Sequence, residues 1–258
     1  MRGIILKLSV FTVDNMPMIE QGHDLAGLIN KRTTIEEHDI IVIASTIVSK
    51  AQALVIDPGT ITPTPEAERI SKKIGNDPAF VQAVLNESTE VLIESPIFLV
   101  RHVSGNVCIN AGIDESNVEH GLLLLPADPD ESARQLKEDF FRLTGKLVSV
   151  IITDTNGRAF REGQTGIALG ISGIDTHHDW RGSTDLFGVE LEVANEAVVD
   201  EIAGFANFLM GEGDWGTPAV VIRGVDMYSG NGDMNAMYRE PETDVIRKAL
   251  QYYKDKVG

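Results

Sequence analysis

One stretch constrains this chain more than any other. Residues 150–170 read VIITDTNGRAFREGQTGIALG. Leu147, Val148, Val150, Ile151 and Ile152 form a short, β-branched apolar run, the composition of a buried strand. The run then meets Thr153, Asp154 and Thr155, a carboxylate between two hydroxyls. Asn156-Gly157 follows and predicts a turn. Past it come Arg158 and Arg161, then a glycine-rich second strand over 166–174. Hard oxygens at a strand end beside two guanidiniums suit a metal-bound phosphate. The oxygens hold Mg²⁺ or Mn²⁺, and the guanidiniums fork onto phosphate oxygens. Standing alone, Asp-Thr-Asn-Gly-Arg is more often an ordinary hairpin, so the motif needs company.

Charge narrows the partners. The 22 Lys and Arg against 39 Asp and Glu leave a net charge of −17 over 258 residues. Such a surface disfavours the phosphate backbone of nucleic acid, and an anionic substrate needs a locally positive pocket or bound cations. The one cysteine, Cys108 in an apolar context, excludes an internal disulfide and a four-cysteine zinc site. The N-terminal apolar run, residues 4–11, is short and broken by Lys7, so no signal peptide is read there. No stretch is long enough to span a bilayer. A cytoplasmic protein is the expectation.

The rest of the chain alternates strands and helices. Strands are predicted over 3–10, 39–45, 91–93, 97–103, 107–111, 122–125 and 219–222. Helices are predicted over 24–30, from Thr64-Pro65 to Gly75, from Asp77-Pro78, over 130–144 up to Gly145, over 195–210 with Asn195 as cap, and over 241–254. Lys50 follows the β-branched strand of Ile40 to Ile43. Residues 226–239, rich in Gly, Asn and Asp, read as a mobile loop. The adjacent His177 and His178 diverge in either regular structure, and no chemistry is assigned to them.

Gly211-Glu212-Gly213-Asp214-Trp215-Gly216 matches G-x-G-x-x-G formally. The dinucleotide fingerprint needs a strand before it and a helix after it, and here the order is reversed. What remains is a glycine-rich loop with backbone N–H groups and two carboxylates, suited to phosphate and metal. Asp114, Asp154 and Glu212 each follow a regular element, and Lys50, Arg158 and Arg161 supply positive charge.

Four segments carry a family resemblance: Ser45 to Ala51 (STIVSKA), Gly105 to Asp114 (GNVCINAGID), Ile152 to Arg158 (ITDTNGR) and Phe208 to Gly213 (FLMGEG). In this order and spacing the chain resembles the coenzyme F420-0:L-glutamate ligases, the coenzyme F420 γ-glutamyl ligase family, over nearly its full length. The resemblance implies an α+β fold with mixed or antiparallel sheets and flanking helices. It implies one ligase unit over residues 1–258, two-lobed and intertwined as a homodimer. It implies GTP-dependent addition of L-glutamate to the deazaflavin precursor F420-0, giving F420-1 and then F420-2 by γ-linkage, with GDP and phosphate released.

Two divalent ions, Mg²⁺ or Mn²⁺, and K⁺ are implied with it. Asp114, Asp154, Thr155 and Glu212 become metal ligands. Val13, Asp14, Asn15, Met16, Ser45, Thr46, Lys50, Asn117, Met210, Gly211, Glu212, Gly213, Asp214, Trp215, Gly216 and Thr217 become GTP contacts. Lys50, Arg158 and Arg161 are the expected catalytic cations. The family pattern after Lys50 is S-K-A-E-G, where this chain has Gln52. That departure leaves a related ligase with another carboxylate acceptor as an alternative. A non-catalytic GTP- or deazaflavin-binding protein is a third.

Overall fold

The computed structural model describes residues 7–230 and 232–257. In chain order the elements are β1 (Ser9–Thr12), α1 (Leu25–Asn30), β2 (Ile40–Ala44), α2 (Ser45–Ala51), β3 (Val55–Ile56), α3 (Pro65–Ile74), α4 (Pro78–Asn86), β4 (Ser88–Ile93), β5 (Leu99–His102), β6 (Val107–Ile109), β7 (Leu122–Leu123), α5 (Pro129–Thr144), β8 (Ser149–Arg158), β9 (Arg161–Ser172), β10 (His178–Asp179), β11 (Asn195–Glu196), α6 (Val198–Met210), β12 (Ala219–Arg223) and α7 (Val245–Val257). The class is α+β with mixed sheets, as expected. Residues 3–6 of the predicted first strand lie outside the described residues.

The chain divides into two compact units, each built from two segments. The first comprises Met1–Gln52 and Asp128–Met234, the second Ala53–Ala127 and Asn235–Gly258.

The first unit is a five-stranded sheet in the order β1-β12-β2-β8-β9. Among the described residues only β2 and β8 pair in parallel, with Ala44 opposite Thr153. Ile40 to Ile43 and Val150 to Ile152 are buried at every position, because helices cover both faces of the sheet. Ile41, Ile43, Val150, Ile152 and Val221 join Ile29 of α1, Val48 of α2 and Phe140 of α5 in one core. Each such aliphatic side chain contributes roughly 1.5–3 kcal/mol by leaving water. Gly166 and Gly170 let helices approach β9 closely. A Cβ at Gly170 would stand 2.3 Å from Pro129, and one at Gly166 would stand 2.5 Å from Asn207.

Local signals explain the helix ends. Asp24, Thr64, Asp77 and Asp128 each accept a backbone N–H as N-cap. Gly75 and Gly145 close their helices in the left-handed region. Two expectations need correction. The predicted turn at Asn156-Gly157 is strand instead. β8 runs on to Arg158, and the turn is Ala159-Phe160, with Phe160 at φ +61°. Asn195 does not cap α6, because it pairs in β11, and Ala197 precedes the helix without a side-chain bond. The stretch after β2, for which no element is predicted, is α2.

In the second unit β4, β5 and β6 form an antiparallel sheet, and β3 pairs with β7. Its core gathers Ile70 of α3, Phe80, Val81 and Val84 of α4, and Phe98, Val100 and Ala111. His102 on β5 is fully buried.

Candidate active site

Strand order brings most of the predicted site residues to one end of the first unit's sheet. β2 ends there at Ala44 and hands directly to Ser45, the first residue of α2. β8 lies parallel beside it, so Asp154 and Thr155, just past Thr153, leave at the same end. β12 runs antiparallel to β2, so the segment entering it, 210–217, arrives there as well. β1 is antiparallel to β12 and leaves into 13–16 at that end.

Hydrogen bonds tie these segments together. Val13 donates its N–H to the Ala219 carbonyl at 2.8 Å, and Ala44 donates to the Pro218 carbonyl at 2.9 Å. Thr217 Oγ1 donates to the Met210 carbonyl at 3.1 Å and closes the glycine loop on itself. The sheet end is therefore a frame of backbone carrying hydroxyls, carboxylates and the start of α2.

The frame has a strained corner. Gly211 has φ 70° and ψ 172°, a region that only glycine occupies readily. The Trp215 ring lies over it, and a Cβ at Gly211 would stand 2.6 Å from Trp215 Cε3. Glu212 Oε1 accepts from Asn207 Nδ2 at 2.7 Å, which orients the carboxylate from the last turn of α6. Thr12 Oγ1 donates to Asp14 Oδ1 at 2.7 Å. Lys50 sits in the last turn of α2, half-buried, and makes no ion pair among the described residues.

Asp154 and Thr155 are strand residues, not loop residues, because β8 and β9 continue beyond the sheet as an exposed hairpin. Arg158 and Arg161 pair across its tip. At about 3.3 Å per residue they stand roughly 16 Å beyond Thr153. Arg158 Nη2 donates to the Glu162 carbonyl at 3.2 Å, within the hairpin itself.

Asp114 and Asn117 belong to the second unit. Asp114 bridges to Leu123 through the backbone, and its carboxylate accepts both Ser116 N–H, at 2.7 Å, and Ser116 Oγ, at 2.8 Å. Asn117 adopts φ 55°. Among the described residues, no three His, Cys, Asp or Glu side chains stand close enough together to hold a metal ion by themselves.

A model of the F420-0:gamma-glutamyl ligase family matches residues 14–224. The chain belongs to that family. Among its relatives is the coenzyme F420:L-glutamate ligase of Archaeoglobus fulgidus, 52% identical over 247 residues, covering 95% of this chain and 99% of that protein. The protein of the same name from Methanosarcina mazei is 46% identical over 253 residues, 97% of this chain and 100% of that protein. That from Halobacterium salinarum is 42% identical over 251 residues, 95% and 97% of the two chains.

Two features of this F420-0:gamma-glutamyl ligase family member are invisible to motif reading. Asp130 and Asp200, in the first turns of α5 and α6, accept the Ile171 and Ala168 N–H groups of β9. Burial pushes both carboxyls above their ordinary range, against the pull of those N–H bonds. Gln52 Nε2 donates to Ser132 Oγ at 2.9 Å, and so ties the end of α2 to α5. No helix among the described residues is long and apolar enough to cross a membrane.

Proposed function

We propose that this chain is a GTP-dependent ligase that joins L-glutamate to F420-0, with a second γ-linked glutamate added to the first product. The observation that carries the reading is a family match spanning residues 14–224 joined to one sheet end where the segments 13–16, 45–50, 154–155 and 210–217 meet.

The chemistry follows from the reactants. A carboxylate is a poor acyl donor, because its leaving group is oxide. In the proposed first step a carboxylate oxygen of F420-0 attacks the γ-phosphorus of GTP, and GDP leaves. In the second step the glutamate amine attacks the acyl carbon, inorganic phosphate leaves, and the amine surrenders a proton as the amide forms. Phosphoryl transfer asks chiefly for positioning and charge stabilisation. The backbone frame of residues 210–217 supplies N–H groups and fixed geometry. Lys50 supplies charge without a competing carboxylate, and the hairpin arginines Arg158 and Arg161 are proposed to add to it.

Hard-oxygen donors at the sheet end suit Mg²⁺ or Mn²⁺, because a nucleotide-bound ion needs one or two protein carboxylates with phosphate oxygens completing its shell. Asp154, Thr155 and Glu212 would hold such ions, and Asp114 carries the same role by resemblance. When bound, these ions neutralise charge on the transferring phosphoryl group. Potassium is proposed as an activator on resemblance alone, as is the cytoplasmic location.

A homodimer is proposed as well. Phe160, Leu186, Phe187 and Val193 are 97%, 95%, 92% and 88% exposed. Apolar side chains so bare on one unit suit a second copy of the chain.

The acceptor alternative rested on Gln52, and its amide is engaged by Ser132. The deciding experiment incubates purified protein with F420-0, L-glutamate, Mg²⁺ or Mn²⁺ and either GTP or ATP, and reads products by mass spectrometry. Glutamylated F420 with GTP supports the reading. Absence of any glutamylated product sinks it.

A further inference from the structure

We propose that Arg32 is a positioning residue for the nucleotide, acting through the segment 13–16; this rests on the reading of that segment as a nucleotide contact. Arg32 lies just past α1. Its Nε donates to the Asn15 carbonyl at 2.7 Å, and its Nη1 donates to the Leu28 carbonyl at 2.8 Å. The Leu28 bond is a familiar helix-end device, a cation on an orphan carbonyl of the last turn. The Asn15 bond is not, because it reaches back 17 residues to another segment.

Asn15 is where the segment turns. Its φ is 57°, a left-handed conformation that an L-residue with a side chain adopts at a cost. A planar guanidinium held at two carbonyls fixes the direction of that peptide far better than a single rotatable donor does. Val13, two residues earlier, is locked to Ala219 at the head of β12. The segment is thus pinned on both sides of Asp14, at the sheet end where residues 210–217 also arrive.

Charge supports the assignment. Six other described arginines, Arg69, Arg134, Arg142, Arg181, Arg223 and Arg247, end on carboxylates. Arg32 ends on carbonyls and has no carboxylate partner among the described residues. In a chain of net charge −17 this leaves an uncompensated positive charge beside a segment assigned to a polyanion.

The test uses the full-length protein with Arg32→Gln and Arg32→Lys, measuring kcat, KM for GTP at saturating Mg²⁺, KM for glutamate, and Tm. Both variants are expected to raise KM for GTP about tenfold, because neither reproduces the two-carbonyl fork, while KM for glutamate and kcat change less than about twofold. Three results overturn the proposal: an unchanged KM for GTP in Arg32→Gln, wild-type behaviour in Arg32→Lys, or a fall in Tm with all kinetic constants shifting together. Wild-type turnover that ignores GTP fails the underlying reading instead, and needs no variant to reveal it.

Discussion

The Asp200 carboxylate accepts the Ala168 N–H at 2.9 Å, and so fills a gap on the outer edge of the sheet. β9 is the edge strand, and its register with β8 shifts between Ile152 and Thr153, where a bulge begins. An unpaired N–H at an edge invites another strand. Here a helix supplies the acceptor, and the bulge sits beside Asp154, where strands near active sites often carry one. Asp200→Ala should cost about 1–3 kcal/mol, the price of one orphaned N–H. Asp200→Asn keeps an acceptor oxygen and loses the buried charge, so its cost should be smaller. Urea unfolding at pH 7 measures both, and equal losses in the two variants would contradict this account.

His102 predicts a pH dependence in the second unit. It is fully buried, and burial lowers its pKa from 6.5 to about 4. Ser104 donates its N–H to Nδ1 at 3.1 Å, while Nε2 stands 3.8 Å from Glu87 Oε2. A base with a depressed folded pKa gives stability that is present above pH 6.5 and lost as pH falls towards 4. At about 1.4 kcal/mol per unit the ceiling is roughly 3 kcal/mol. Glu87 works the other way, because burial raises its pKa and its protonation favours the fold in acid. His102→Asn keeps an acceptor for Ser104 and cannot titrate. Unfolding midpoints between pH 7 and 4 should fall less steeply in that variant, and an unchanged slope would assign the acid sensitivity elsewhere.

Gln52 makes a prediction about specificity. Ser132 Oγ donates to the Asp128 carbonyl and accepts from Gln52 Nε2. A glutamate at 52 has no hydrogen to donate at neutral pH, so Ser132 would have to give up its bond to Asp128. Gln52→Glu should cost about 0.5–1.5 kcal/mol of stability and leave the acceptor preference untouched. Competition between F420-0 and other carboxylic acids, read by mass spectrometry, checks it. A changed preference would restore position 52 as a substrate contact.

Asp154 is the sharpest test of the proposed chemistry. Asp154→Ala should lower turnover by about 10²–10³-fold, the scale of losing one transition-state electrostatic contact, with an unchanged circular dichroism spectrum. Wild-type turnover in a folded variant would remove Asp154 from the site.

The legible parts of this sequence are those decided within a few residues. Thr64-Pro65, Asp77-Pro78 and Gly75 mark their helix ends because cap and helix touch directly. The illegible parts depend on distant partners. α2 was hidden because Ala44 offers no capping side chain. Asn156-Gly157 has the chemistry of a turn, yet pairing with β9 carries the strand past it to Phe160, which takes a left-handed φ without being glycine or asparagine. The site shows the same division. Asp154, Glu212 and Lys50 were visible as residue types following regular elements. Their shared sheet end follows from the order β1-β12-β2-β8, in which β12 comes last in sequence and sits between β1 and β2. The bond from Arg32 to Asn15 had no local signal, since that partner is 17 residues away.

Gly211 links the frame to its function. At φ 70° and ψ 172° its backbone excludes a side chain on conformational grounds, and Trp215 excludes one on steric grounds. Gly211→Ala therefore cannot keep both the loop path and the ring position. The β12 ladder lies further along and does not need Gly211 itself, whereas the Thr217 bond ends on the Met210 carbonyl, in the peptide that Gly211 completes. The expected damage is thus local: about 1–3 kcal/mol in the loop conformation, felt as an increase in KM for GTP of roughly tenfold or more. Trp215 is 65% exposed, so its fluorescence in a Trp180→Phe background should report the displaced loop directly. If Gly211→Ala leaves both the emission and the KM for GTP unchanged, residues 210–217 do not shape the nucleotide site.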